Sequence, residues 1–210
     1  MSSTIVPAVL TSNVEAASRA FGAYQPYSRA VHVDILDNTL VKGNTLKPAD
    51  FPKFDRNVIT WHLMVSNPIQ YVDACLEHRS DAILIHAEIG GDLAKLADEI
   101  HTKGVQAGIT LNPRTPVELV AHVLPAFDWV QVMTVEPGKQ GGEFLVDPLL
   151  KLPKITTKFP RLRTIVDGGV NASTIHQVIK YRPAMISVGS YLAPGPELAD
   201  HWKELQRALK

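Results

Sequence analysis

Short runs rich in β-branched and apolar residues recur along this chain about every 25 residues with helix-like stretches between them, the pattern of repeated βα units around a parallel sheet. Eight runs fit: TIVPAVL (4–10), AVHVDIL (30–36), VITWHLM (58–64), AILIHAE (82–88), VQAGITL (105–111), WVQVMTV (129–135), RTIVDGG (163–169) and MISVGS (185–190). Helical patterns such as PIQYVDACLEH, DLAKLADEIHTK, TPVELVAHVL, ASTIHQVIK and ELADHWKELQRALK lie between or after them, and the last keeps its apolar residues on one stripe with charges opposite. Eight strands with alternating helices in 210 residues predict an α/β fold, a compact (β/α)8 TIM barrel with residues 1–210 as one domain. An open doubly wound sheet is the alternative, and strand counting does not separate the two. The segment KPADFPKF, between the second and third strands, reads as a loop or short helix.

Composition limits the partners. The chain is 45% hydrophobic with formal net charge zero, enough to bury a full core and too balanced for a general nucleic-acid footprint. A small molecule is the expected partner. No apolar run is long enough to span a bilayer, and MSSTIVPAVLTSN lacks the basic region and sustained apolar core of a secretory signal. The single Cys75 has no second cysteine with which to form an internal disulfide. A cytoplasmic setting with neither membrane nor nucleic-acid partner is therefore expected, as is assembly into a homo-oligomer.

Four polar residues sit at the ends of strand-like runs: His32 and Asp34 in AVHVDIL, His62 in VITWHLMV and Asp167 in RTIVDGGV. Residues i and i+2 of a strand share a face, so His32 and Asp34 point the same way. If that way is inward, a bound cation or a hydrogen-bond network must compensate the buried charge. Two imidazoles and two carboxylates suit one divalent ion such as zinc, iron(II), manganese or cobalt better than calcium. Separate buried polar residues satisfied by backbone groups remain the alternative.

Barrel chemistry is sought just after each strand. Glycine clusters lie there, in EPGKQGGEF after the sixth strand, DGGVNAST after the seventh and VGSYL closing the eighth. Glycine lets backbone approach a ligand closely, and amides in such turns point at anions, so a phosphate is the expected group.

These residues resemble the ribulose-phosphate 3-epimerase family from the first strand to the last. HVDILD is similar to that family's H-V-D-V-M-D segment, WHLMVSNPIQYV to its H-L-M-V-x-x-P segment, and GITLNPRTPVE to its G-L-A-L-N-P-G-T-P-V-E segment. VQVMTVEPG, IVDGGVNAST and VGS match its sixth, seventh and eighth strand ends in order. The resemblance implies a TIM barrel in which His32, Asp34, His62 and Asp167 hold a divalent metal, and Asp34 and Asp167 also form the acid/base pair. It further implies a phosphorylated ketose substrate, with phosphate held by Gly168, Gly169, Gly189 and Ser190 and by Gly141 in the loop after the sixth strand. Met64 and Met133 match methionines that line the family's site, although plain core packing is the simpler reading of both.

Departures cluster at the expected mouth. The family's P-G-F-G-G-Q-x-F reads PGKQGGEF here, so Lys139, Gln140 and Gly142 replace an aromatic, a glycine and a glutamine, and the shifted Gly141–Gly142 pair is expected to keep the turn with an altered lid. Ala8 stands where the family has serine, Leu36 where it has methionine, and Thr60 where an aspartate often stands, with Trp61 following. NTLVKGN introduces Lys42, and NPRT adds Arg114. Lys42, Arg114 and Lys139 could meet a second acidic group or a different phosphosugar, or lie as solvated surface cations.

His86 and Glu88 share a strand face, for which a hydrogen-bonded structural role is expected rather than ligation, and Asp37 is a candidate to orient the loop after the second strand. His78, His101, His122, His176 and His201 fall in helical stretches and are expected to face solvent, with Cys75 a buried, inert thiol. Two functions stay open: a metal-dependent epimerase interconverting D-ribulose 5-phosphate and D-xylulose 5-phosphate, or another ketose phosphate such as a hexulose 6-phosphate, and a non-catalytic phosphosugar-binding barrel.

Overall fold

The structure, a computed structural model, describes residues 3–53, 57–138 and 141–210. Its strands are β1 (Thr4–Val9), β2 (Ala30–Leu36), β3 (Val58–Met64), β4 (Ser80–His86), β5 (Gln106–Leu111), β6 (Trp129–Met133), β7 (Arg163–Asp167) and β8 (Met185–Val188). Each pairs in parallel with the next, and β8 returns to β1 with Thr4 opposite Met185 and Pro7 opposite Val188. That last pairing closes the barrel and excludes the open sheet.

Side-chain alternation sorts each strand into two faces. Val31, Val33 and Ile35 of β2 point outward into the large apolar layer shared with the helices. Val6, Ala82, Leu84, Trp129, Ile165 and Met185 form a second apolar cluster, and they have the same parity as His32, Asp34, His62 and Asp167. The barrel interior is thus apolar toward the strand starts and polar toward the strand ends, where the loops to the following helices begin.

Helices α1 (Val14–Tyr24), α2 (Ile69–Leu76), α3 (Leu93–Thr102), α4 (Val117–Val120), α5 (Lys151–Lys158), α6 (Ile175–Val178) and α7 (Leu198–Ala208) cover the outside. Asn13 starts α1 by accepting the Ala16 amide at 2.8 Å on its side chain. The helical patterns over 115–124 and 172–180 shorten in the structure to α4 and α6, each four residues long. A 3-10 turn follows each, with a proline close by. Pro125 lacks an amide hydrogen and sits in a 3-10 turn, Leu124–Ala126. Arg182, at φ 48°, precedes Pro183, which disfavours helical backbone before it. KPADFPKF forms a 3-10 turn at Pro48–Asp50, and its Phe51 packs on Trp61 at 5.7 Å between ring centroids. Among the described residues, no helix is long and apolar enough to cross a membrane.

Candidate functional site

Register brings the polar strand residues together. Asp34 of β2 lies opposite His62 of β3, and Asp167 of β7 lies opposite Met133 of β6 and Ser187 of β8. Asp34 Oδ1 is 2.8 Å from His62 Nδ1 and 3.3 Å from His32 Nε2. Asp167 Oδ2 is 3.6 Å from His62 Nδ1 and 3.9 Å from His32 Nε2. One ligand atom from each of the four residues lies within 4.8 Å of all the others.

Both histidines are fully buried, and the aspartates are only 7% and 8% exposed. Burial works against charge on His32, but Asp34 and Asp167 outweigh it and raise its pKa above the ordinary value. Burial also pushes the Asp34 carboxyl up, yet its contacts with His32 and His62 pull it well below the usual carboxylate range. Asp167 goes the other way: burial raises it and the Asp34 charge adds to that, against the pull of the two histidines. Before any ion's charge is added, the two carboxyls shift in opposite directions.

The donor set fits a divalent ion. Two imidazole nitrogens and two carboxylate oxygens converge without a lysine or arginine among them. Neither ring nitrogen of His32 has a hydrogen-bond partner among the described residues, although both are buried. Without a well-formed hydrogen bond, His32 Nε2 is available to an ion held beside Asp34 and Asp167.

Asp34 and Asp167 open into a cavity also lined by Met64, Met133, Gly141, Gly168, Gly169, Gly189 and Ser190. An adjoining cleft shares Gly141, Gly169 and Ser190 and adds Gly142. Gly168 requires its φ of 109°, and a Cβ there would stand 2.4 Å from Val135 Cγ2. Ala8 lines the cavity, but Lys42 and Arg114 do not. Lys42 is exposed, and the Arg114 Nε donates to Glu136 at 3.2 Å. Lys139 and Gln140 lie outside the described residues.

Sequence reasoning passed over Gln131, whose Nε2 donates to Asp167 Oδ2 at 3.2 Å; its parity with Met133 in WVQVM was the available signal. His86 is hydrogen-bonded as expected, with Nε2 2.8 Å from His62 Nε2 and Nδ1 3.0 Å from Glu88. Asp37 accepts from the Thr39 amide and, at 2.9 Å, from the Tyr71 hydroxyl, tying down the loop after β2. Two solvent-facing expectations are corrected. His78 is half-buried against the Trp61 ring with Nε2 2.9 Å from the Pro48 carbonyl, and His201 stacks on Tyr191 at 4.0 Å. His101, His122 and His176 are exposed, and Cys75 is buried with its thiol pKa pushed up.

A family model described as the ribulose-phosphate 3 epimerase family matches residues 4–193. A ribulose-phosphate 3-epimerase from Schizosaccharomyces pombe is 31% identical over 203 residues, covering 92% of this chain and 89% of the relative. One from Bacillus subtilis is 33% identical over 169 residues, covering 76% and 77%. Among solved structures, KGPDC from Streptococcus mutans superposes with a TM-score of 0.72 over 100% of this chain and 98% of that one, at 11% identity, a likeness of fold alone.

Proposed function

The chain belongs to the ribulose-phosphate 3-epimerase family, a family of isomerases, and on that premise we propose that it interconverts D-ribulose 5-phosphate and D-xylulose 5-phosphate, the whole chain acting as one barrel domain. The observation that carries this reading is the pair of buried carboxylates, Asp34 and Asp167, sharing a cavity with a glycine-rich turn system.

Inverting a carbon beside a ketone requires a proton to leave one face and return to the other. In our reading one aspartate, as carboxylate, takes the proton and leaves an enediolate; the other, as carboxylic acid, delivers a proton to the opposite face. Their pKa values shift in opposite directions, Asp34 down and Asp167 up, which suits that division. They reach the cavity from β2 and β7, different walls of the barrel, as a two-base scheme needs. His32, Asp34, His62 and Asp167 would hold a divalent ion, zinc, iron(II), manganese or cobalt, which when bound supplies Lewis-acid stabilisation of negative charge on the substrate oxygens. Met64 and Met133 present apolar surface beside the carboxylates and keep water away. The turns at Gly141, Gly142, Gly168, Gly169, Gly189 and Ser190 would take the phosphate.

The test is a coupled assay with ribulose 5-phosphate beside a panel of ketose phosphates, on protein as isolated, after chelation and after metal is restored. Turnover of ribulose 5-phosphate above the rest, lost on chelation and recovered with metal, is expected. Preference for a hexulose phosphate would move the substrate assignment, and no turnover of any ketose phosphate by metal-replete protein would leave a phosphosugar-binding barrel.

A further inference from the structure

We propose that His86 and Glu88 are positioning residues that hold His62 in the one tautomer able to ligate a metal through Nδ1, an inference that rests on reading His32, Asp34, His62 and Asp167 as a metal site. His62 Nδ1 faces both Asp34 and Asp167, so it is the ligand atom. A ligating imidazole nitrogen carries no proton, and the proton of the neutral ring is then on Nε2.

That Nε2 lies 2.8 Å from His86 Nε2, with the two rings 15° from parallel. Two ring nitrogens this close accommodate one proton between them, so one donates and the other accepts. If His62 donates, His86 accepts at Nε2 and its own proton is on Nδ1. Nδ1 stands 3.0 Å from Glu88 Oε2, a carboxylate acceptor. The other Glu88 oxygen accepts the Asn112 amide at 3.0 Å and the Thr115 hydroxyl. Every donor in this series meets one acceptor. The reverse arrangement sets a bare His86 nitrogen against a carboxylate oxygen and puts the His62 proton on Nδ1, where it would serve Asp34 at 2.8 Å but occupy the very atom that must bind the ion.

The far end of the chain is itself anchored. Lys151, at the start of α5, donates to the Asn112 carbonyl at 2.6 Å and the Pro113 carbonyl at 2.9 Å, holding the turn that supplies the Asn112 amide and Thr115. His62 and His86 are both fully buried, so no bulk water can replace either partner. The carboxylate of Glu88 therefore selects the tautomer of His86, and His86 selects that of His62. Outer hydrogen bonds of this kind orient a ligating ring and raise its basicity.

Two measurements test this. In zinc-loaded protein, two-bond 15N–1H correlations of the histidine rings should show His62 protonated on Nε2 alone and His86 on Nδ1 alone. In a cobalt(II) titration of metal-free protein, His86→Leu should weaken binding roughly 10- to 100-fold and alter the visible spectrum. His86→Gln, whose side-chain oxygen can accept near the position of Nε2, should restore affinity to within a few-fold of wild type. A His86 protonated on Nε2, or a leucine variant that binds cobalt as wild type does, would overturn the proposal while leaving the metal site standing. Should the leucine variant not fold, the ring tautomers of the wild type decide. Wild-type protein that takes up no cobalt, or takes it up unchanged after His32→Ala, would overturn both this proposal and the metal reading beneath it.

Discussion

Asp34 and His62 are register partners across β2 and β3, and their side chains meet at 2.8 Å between Oδ1 and Nδ1. The backbone ladder itself sets this contact, so the carboxylate and the imidazole are held by two strands rather than by loops. Rigid placement matters here, because proton transfer and metal binding both degrade when groups shift by an ångström.

Asp34→Asn and Asp167→Asn should each lower epimerisation by about 10²- to 10⁴-fold or more while leaving the fold intact, since an amide keeps the shape of a carboxylate but cannot shuttle the proton. Metal content must be measured for each, because both residues are proposed ligands. With metal retained, a variant lacking one base should still wash solvent deuterium into one epimer without forming the other. Full activity in metal-replete Asp167→Asn would refute the two-base assignment.

Gly169→Ala should raise KM for the phosphosugar more than it lowers kcat. Gly169 has φ 68°, and an added Cβ would stand 3.0 Å from Phe144 Cβ and 3.1 Å from Phe144 Cα, so the turn must move. The backbone conformation alone should cost about 1–2 kcal/mol of stability. In wild type, inorganic phosphate should shift the amide resonances of Gly168, Gly169, Gly189 and Ser190. A titration that leaves all four unmoved would break the link between the glycine turns and an anion.

Glu88 gives a pH-dependent prediction. Burial pushes its carboxyl up, but His86, Thr115 and the Asn112 amide outweigh burial and bring the pKa from 4.5 down to about 2. A folded-state pKa below the unfolded one means stability that is present above about pH 4.5 and lost as the pH falls toward 2. The ceiling is about 3 kcal/mol. Urea denaturation of Glu88→Gln should accordingly show its largest deficit against wild type near neutral pH and one that shrinks as the pH falls from about 4.5 toward 2. A deficit constant across that range would mean that the Glu88 charge contributes nothing.

Gly108→Ala should destabilise the barrel by about 1–3 kcal/mol, the usual cost of overpacking a filled core. Its Cβ would fall 2.1 Å from Leu84 Cδ2 and 3.1 Å from Trp129 Cβ, both within the inner apolar cluster. Thermal unfolding reads this directly, and pairing the change with Leu84→Ala should recover part of the loss. An unchanged Tm in the single variant would show that Leu84 has room to turn aside.

The strand runs were legible because each carries its own signal: Val, Ile and Leu in short blocks between turn residues, repeated at even spacing. The shared face of His32 and Asp34, and of Thr60, His62 and Met64, followed from strand alternation, which is local and independent of the rest of the fold. Closure was not local. It depends on Thr4 reaching Met185 across nearly the whole chain, a pairing for which an open sheet with the same elements leaves no trace in the sequence. Apolar periodicity ran past the ends of α4 at Val120 and α6 at Val178, because it does not distinguish an α-helix from the turn and 3-10 residues that follow.

Which polar residues touch was decided by tertiary structure alone. Parity places His86 inward, yet only the β3–β4 neighbourhood brings its Nε2 to within 2.8 Å of His62, and only the turn after β5 brings the Asn112 amide and Thr115 to Glu88. Arg114 was open between a ligand-binding cation and a solvated surface one, and the fold leaves it exposed beside Glu136. Residue type and strand period determine what chemistry a position can offer and which face it lies on. Register, barrel closure and loop packing determine what it meets, because those contacts join residues that are remote along the chain.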